Sequence, residues 1–207
     1  MKSKNLYIVR HGQTDYNKRG IVQGGGINAD LNETGRKQAQ AFFTGLHDLN
    51  FDAIYTSGLV RTVQTIQPFV DSGMSFTKLA GLNEMNWGVH EGQEVTHESR
   101  SAFHAIIKRW RAGETDIAIE GGESPLEVQS RLKHAMTKIL SKENEKRVLI
   151  CMHGRSMRIL LATLLNYPLS EMDHFSHSNT GYYHLVHTGS FFSVTRFNHH
   201  DHIKGIK

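Results

Sequence analysis

The chain has 207 residues, a net charge of +4 with histidines neutral, fourteen histidines, three prolines and one cysteine. That length supplies a single domain with an ample core, and the lone Cys151 excludes an internal disulfide framework. No apolar run approaches the roughly 18 residues of a membrane span, the amino terminus shows no signal-peptide core, and the basic residues are spread along the chain without a nucleic-acid motif. The expectation is a cytoplasmic protein with an anionic small-molecule partner, no membrane partner and no nucleic-acid partner. Oligomeric state is not legible at this level.

Residues 5 to 9 are β-branched and aromatic, too few for a helix and bounded by polar residues, which predicts a buried strand. It runs into Arg10-His11-Gly12. A helix is predicted from Glu33 to Phe43 with Asn32 as its N-cap. Residues 52 to 56 read as a second strand, followed by Ser57 to Arg61, and residues 76 to 80 as a third, leading to Gly81-Leu82-Asn83-Glu84. Residues 86 to 125 read as an excursion, with Phe103, Ile106, Ile107 and Trp110 spaced as the apolar face of a helix that packs on the core or caps the site. Val148 to Met152 form a further strand, closed by His153-Gly154. Strand, helix and strand at this spacing imply a βαβ unit, and the expected fold is a three-layer α/β/α sandwich with a mostly parallel central sheet, spanning residues 1–207 as one domain with a cap at 86–125.

In such sheets the ligand crevice lies beyond the carboxyl ends of the strands. His11, Arg61, Glu84 and His153 each follow a predicted strand, so residues scattered over the chain meet at one edge. Their types suit phosphate chemistry. Planar guanidinium groups match phosphoryl oxygens bidentately, which makes Arg10 and Arg61 clamps. A neutral imidazole attacks phosphorus and forms a phosphohistidine that water then hydrolyses. Neighbouring arginines favour the neutral form of His11. The leaving alkoxide needs a proton, and Glu84 supplies it if its surroundings retain one.

The segments Leu6 to Thr14 with Asn17 and Gln23-Gly24, Tyr55-Thr56-Ser57 with Arg61, Thr62, Gln64 and Thr65, Leu82-Asn83-Glu84 with Gly88 and Glu91-Gly92, Gly121 to Ser124, and His153-Gly154 together resemble the histidine phosphatase superfamily. That superfamily also holds the cofactor-dependent phosphoglycerate mutases. The resemblance covers nearly the whole chain in family order. It implies that His11 is the nucleophile, Glu84 the proton donor, and Arg10, Arg61 and His153 the phosphate pocket, with Asn17 a further phosphate contact. It also implies that no metal or cofactor is needed.

The chain departs from the family at several points. Asn28-Ala29-Asp30-Leu31-Asn32 stands where the family carries Asp-x-Pro-Leu-Thr, predicting a changed loop and an intact helix. Arg155 replaces the second glycine after His153 and is expected to add charge at the pocket mouth, favouring a substrate with a second anionic group. Met85 follows Glu84 where mutases carry arginine, and Trp87 to Gly92 matches the phosphatase-like members. Asn198 to His202 is rich in metal-binding side chains, yet a solvated tail is its expected state. The resulting reading is a phosphatase of small phosphomonoesters, with a phosphoglycerate mutase and a non-catalytic phosphate-binding scaffold as alternatives.

Overall fold

The computed structural model describes residues 3–94 and 96–206, so Val95 of the 86–125 region lies outside the described residues. Six strands form one sheet in the order β3-β2-β4-β1-β5-β6: β1 (Lys4–Arg10), β2 (Ala53–Thr56), β3 (Thr77–Lys78), β4 (Arg147–Met152), β5 (Tyr182–His187) and β6 (Phe192–His199). The pairs β1 with β4, β2 with β4 and β2 with β3 are parallel, while β5 runs antiparallel to both β1 and β6.

The central strands are buried on both faces, which explains their continuous apolar runs. Leu6 and Ile8 of β1 and Val148, Ile150 and Met152 of β4 face one layer, with Trp110 of α4 (His97–Arg111), Leu132 and Met136 of α5 (Pro125–Leu140) and Leu160 of α6 (Gly154–Leu164). Tyr7, Val9, Leu149 and Cys151 face the other, with Phe42 of α2 (Glu33–Leu46) and Ile66 and Phe69 of α3 (Val60–Asp71). The predicted three-layer arrangement is therefore present. Asn32 caps α2 as expected, its side chain accepting from the Gly35 N–H at 2.9 Å.

Three expectations need correction. The third strand is two residues long rather than spanning 76–80, and a 3₁₀ turn, Ala80–Leu82, separates it from Glu84. Its residues are exposed and pair with β2 alone, so little holds a longer strand in the sheet. The hairpin of β5 and β6 was not anticipated, because its histidines and arginine interrupt the apolar signal. The histidine-rich segment is not a solvated tail: His199 closes β6, and the His202 ring lies 5.4 Å from that of Phe42, with Nε2 3.2 Å from Thr180 Oγ1. Among the described residues no helix is long and apolar enough to cross a membrane.

Candidate active site

Arg10 and Met152 are register partners on the adjacent parallel strands β1 and β4. The residues that follow them, His11 and His153, therefore leave the sheet side by side. The His11 N–H donates to the Met152 carbonyl at 3.0 Å, and the two imidazole rings lie 5.2 Å apart. Gly12 lets the start of α2 close against this turn, since a Cβ there would stand 2.6 Å from the Gly35 carbonyl oxygen. Thr65 of α3 fixes the turn by accepting from the Gly12 N–H at 2.9 Å.

His11 Nδ1 lies 2.7 Å from the Gly12 carbonyl oxygen. A carbonyl only accepts, so Nδ1 carries the proton and Nε2 presents its lone pair. Burial pushes the imidazole well below its ordinary value, and Arg61 and Arg10 push it further in the same direction. His153 has the opposite tautomer. Its Nδ1 accepts from Arg61 Nε at 3.2 Å, and because arginine only donates, Nε2 bears the hydrogen and donates to Ser57 Oγ at 2.8 Å. It too is held well below the ordinary imidazole value, by burial first and then by Arg61, His11 and Arg10.

Arg61, the second residue of α3, is fully buried. Besides His153 it donates to the carbonyl oxygens of Ile27 at 2.7 Å and Gly24 at 3.2 Å, so three of its five N–H groups are engaged by the protein. Burial lowers it to about 10. Arg10 differs. Its side chain has no hydrogen-bond partner among the described residues, its Nε is buried and orphaned, and burial likewise lowers it to about 10. A guanidinium that lines a cavity with its donors unmet is a receptor for an anion.

Glu84 is held from both ends. Arg131 of α5 donates to the carbonyl oxygens of Gly81, Asn83 and Glu84 and forks onto the Glu123 carboxylate at 2.8 and 2.9 Å. Glu123 in turn accepts from the Asn86 N–H at 2.8 Å, which explains why the Gly121–Ser124 segment travels with Glu84 in the sequence pattern. The Glu84 carboxylate accepts from the N–H groups of Met85 and Ser156, each at 2.9 Å, and of Arg155 at 3.1 Å. The last two belong to the first turn of α6, whose positive end faces the carboxylate. This arrangement leaves one of roughly four acceptor positions open, on Oε2.

Asn17 lies in the short helix α1 (Asp15–Arg19), where its side chain completes a capping box with Thr14. Its Oδ1 also accepts from Asn179 Nδ2 at 3.1 Å, so the amide oxygen serves local structure and the NH2 group is the part available to a ligand. Asn179, Ser57 and Thr65 are site residues to which sequence reasoning gave no role. Ser57 and Thr65 sit inside matched segments, whereas Asn179 has only the Asn-Thr-Gly turn around it as a signal.

Arg155 corrects an expectation. It is 9% exposed, its guanidinium carbon lies 5.4 Å from the Trp87 ring centre and 5.8 Å from that of Trp110, and NH1 bonds Asp173 at 2.7 Å. Asp173 also holds Arg158 at 2.6 Å and Arg111 at 2.9 Å. Burial alone would raise the Asp173 carboxyl, but these three arginines hold it below the usual range. The Arg155 charge is committed inside the protein, and its backbone rather than its side chain touches the site.

His11, Glu84, Arg61 and His153 are each at most 7% exposed. A cavity of about 650 Å³ is lined by Arg10, Asn17 and Asn179, and it adjoins His11 through Arg10, which precedes it, and Asn179, whose Nδ2 donates to the His11 carbonyl oxygen at 3.0 Å.

The sequence model of the histidine phosphatase superfamily (branch 1) matches residues 6–200. The chain belongs to the histidine phosphatase superfamily. This histidine phosphatase is 33% identical over 168 residues to a probable phosphoglycerate mutase of Erwinia tasmaniensis, covering 79% of this chain and 75% of that protein. It is 28% identical over 178 residues to phosphoserine phosphatase 1 of Hydrogenobacter thermophilus, covering 86% and 83%. In fold it is similar to a mycobacterial glucosyl-3-phosphoglycerate phosphatase in complex with VO3, with a TM-score of 0.82, 25% identity and coverage of 94% of this chain and 98% of that one.

Proposed function

We propose that this histidine phosphatase hydrolyses small phosphomonoesters, without a metal, through a phosphohistidine formed on His11. The observation that carries the reading is the orphaned guanidinium of Arg10 beside an imidazole whose Nε2 lone pair is unengaged. Arg10 and the two free N–H groups of Arg61 hold the phosphoryl oxygens, with the Asn17 amide as a further contact. Arg61 and Ser57 fix His153 against the same group. Nε2 of His11 attacks phosphorus as the P–O bond to the leaving group breaks, and Glu84 gives that oxygen a proton from Oε2. Water then attacks phosphorus as the P–Nε2 bond breaks and its electron pair returns to His11; Glu84 takes the water's proton, phosphate leaves, and that proton serves the next leaving group.

Relatives named as phosphoserine phosphatase and glucosyl-3-phosphoglycerate phosphatase support hydrolysis. The relative named as a probable phosphoglycerate mutase supports a mutase as second reading. Met85 favours the first: it packs in the apolar core, where a mutase pattern would place arginine. The chain is read as one domain in which residues 86–125 cap the site, because Ser99, Arg100, Phe103 and His104 of α4 line the cavity. The proposed setting is the cytoplasm, in keeping with a lone, fully buried Cys151. Nucleic acid has no part in the reading.

A screen of phosphorylated metabolites for phosphate release, run beside a mutase assay with 3-phosphoglycerate and a bisphosphate primer, tests it. Phosphate release is expected to dominate. Faster formation of 2-phosphoglycerate than phosphate release from any ester would assign the mutase, and neither activity would leave the phosphate-binding scaffold.

A further inference from the structure

The cavity lined by Arg10, Asn17 and Asn179 holds about 650 Å³, within the roughly 300–1,000 Å³ of sites that enclose whole small molecules. A phosphoryl group needs only the part of it lined by Arg10, Asn17 and Asn179. Its apolar lining comes from Ile21, Val22 and Phe103 of α4, with His90, Gln93 and Ser99 as further polar members. Phe103 is braced by Trp87, ring centres 5.0 Å apart, so it is a fixed aromatic face. Arg100 and His104, one helical turn apart on α4, line the same cavity. Among the described lining residues there is no Asp or Glu.

Arg100 is the unusual member. Of the three arginines on α4, Arg109 pairs with Glu114 at 2.6 Å and Arg111 with Asp173 at 2.9 Å. Arg100 is exposed and has no ion pair or side-chain hydrogen bond among the described residues, although it lines the cavity. Arg155, the alternative cation for a second anionic group, is already committed to Asp173.

We infer that the substrate is a phosphomonoester with an apolar, ring-sized body and a second anionic group at its far end. The phosphate lies on Arg10, the body between Ile21, Val22 and Phe103, and the distal anion on Arg100. This rests on the phosphatase reading and names the substrate class for that site.

The test uses 4-carboxybenzyl phosphate and its 4-(2-carboxyethyl)benzyl homologue, each against its primary amide, which has nearly the same shape and leaving group without the charge. The wild type should prefer the acid in at least one pair by about fivefold to tenfold in kcat/KM, chiefly through KM, as a partly screened charge pair allows. R100Q should bring that ratio towards one, and R100K should restore most of it. 4-Carboxybenzyl phosphate should also exceed 3-phosphoglycerate, which has the second anion but no apolar body. Equal acid and amide rates in the wild type, a preference surviving in R100Q, or faster hydrolysis of 3-phosphoglycerate would overturn the inference while leaving the phosphatase reading intact. Phosphate release from none of these esters or the metabolite screen would remove both.

Discussion

Arg61 and His153 are 92 residues apart in sequence, yet the Nε–H of the first donates to Nδ1 of the second at 3.2 Å. That bond sets the tautomer of His153 opposite to that of His11, whose Nδ1 donates to the Gly12 carbonyl. One imidazole thus has both nitrogens engaged, by Arg61 and Ser57, and the other presents a lone pair, a division suited to one ring held in place and one that attacks.

Glu84→Gln keeps the shape of the side chain but removes the acidic proton. Loss of general acid catalysis should slow enzyme phosphorylation about 10²- to 10⁴-fold more for alkyl phosphates than for p-nitrophenyl phosphate, whose leaving group departs largely unaided. Single-turnover rates measure this directly, because slow dephosphorylation would mask it in steady state. Equal losses on both substrates would make Glu84 a positioning residue only.

Burial keeps His11 and His153 neutral in the folded protein to well below the ordinary imidazole value, and His177, pushed down to about 3, behaves alike. Below that ordinary value, near 6.5, the unfolded chain therefore binds protons that the folded one does not, so stability falls with falling pH and is level above it. His11 and His153 should each remove about 1 kcal/mol between pH 6.5 and 5.5. Urea midpoints across that range check the slope, and a flat profile would mean that the two rings titrate normally.

Asp173→Asn leaves the buried Arg155 without its partner. Breaking such a pair from one side costs about 3 kcal/mol or more, which for a chain of this size lowers Tm by roughly 6–12 °C. Arg111→Gln removes a mostly exposed partner of the same carboxylate and should cost less than about 1 kcal/mol. Scanning calorimetry of the two variants should show that order.

Arg10 and Arg61 supply the positive charge of the proposed phosphate site, and the described residues include no cluster of three His, Cys, Asp or Glu side chains able to hold a metal. Chelator should leave turnover unchanged. Loss of activity with chelator and its return with a divalent ion would require a different catalytic chemistry.

The parts of the site that the sequence reveals are those built by short segments at strand ends. Arg10-His11-Gly12 and His153-Gly154 each follow a buried apolar run, and parallel pairing of two such runs is enough to bring the histidines together. Glu84 was legible as a residue but not in its setting, because Arg131 and the first turn of α6 reach it from 47 and more than 70 positions away. Arg155 misled because its partner Asp173 stands in a 3₁₀ segment with no periodic signal, and the two tryptophans that enclose it, Trp87 and Trp110, lie far from it in sequence. The β5–β6 hairpin escaped for a related reason: β6 is an edge strand with no fully buried residue, so burial leaves little alternation to read.

Phosphoryl transfer to His11 is best tested by rapid alkaline quenching of the enzyme during turnover, followed by phosphopeptide mapping. Because Nδ1 is engaged by Gly12, the account predicts acid-labile phosphate on Nε2 of His11, formed as fast as turnover requires and missing from His11→Ala together with activity. Label on another residue, or His11→Ala retaining both label and wild-type turnover, would contradict it.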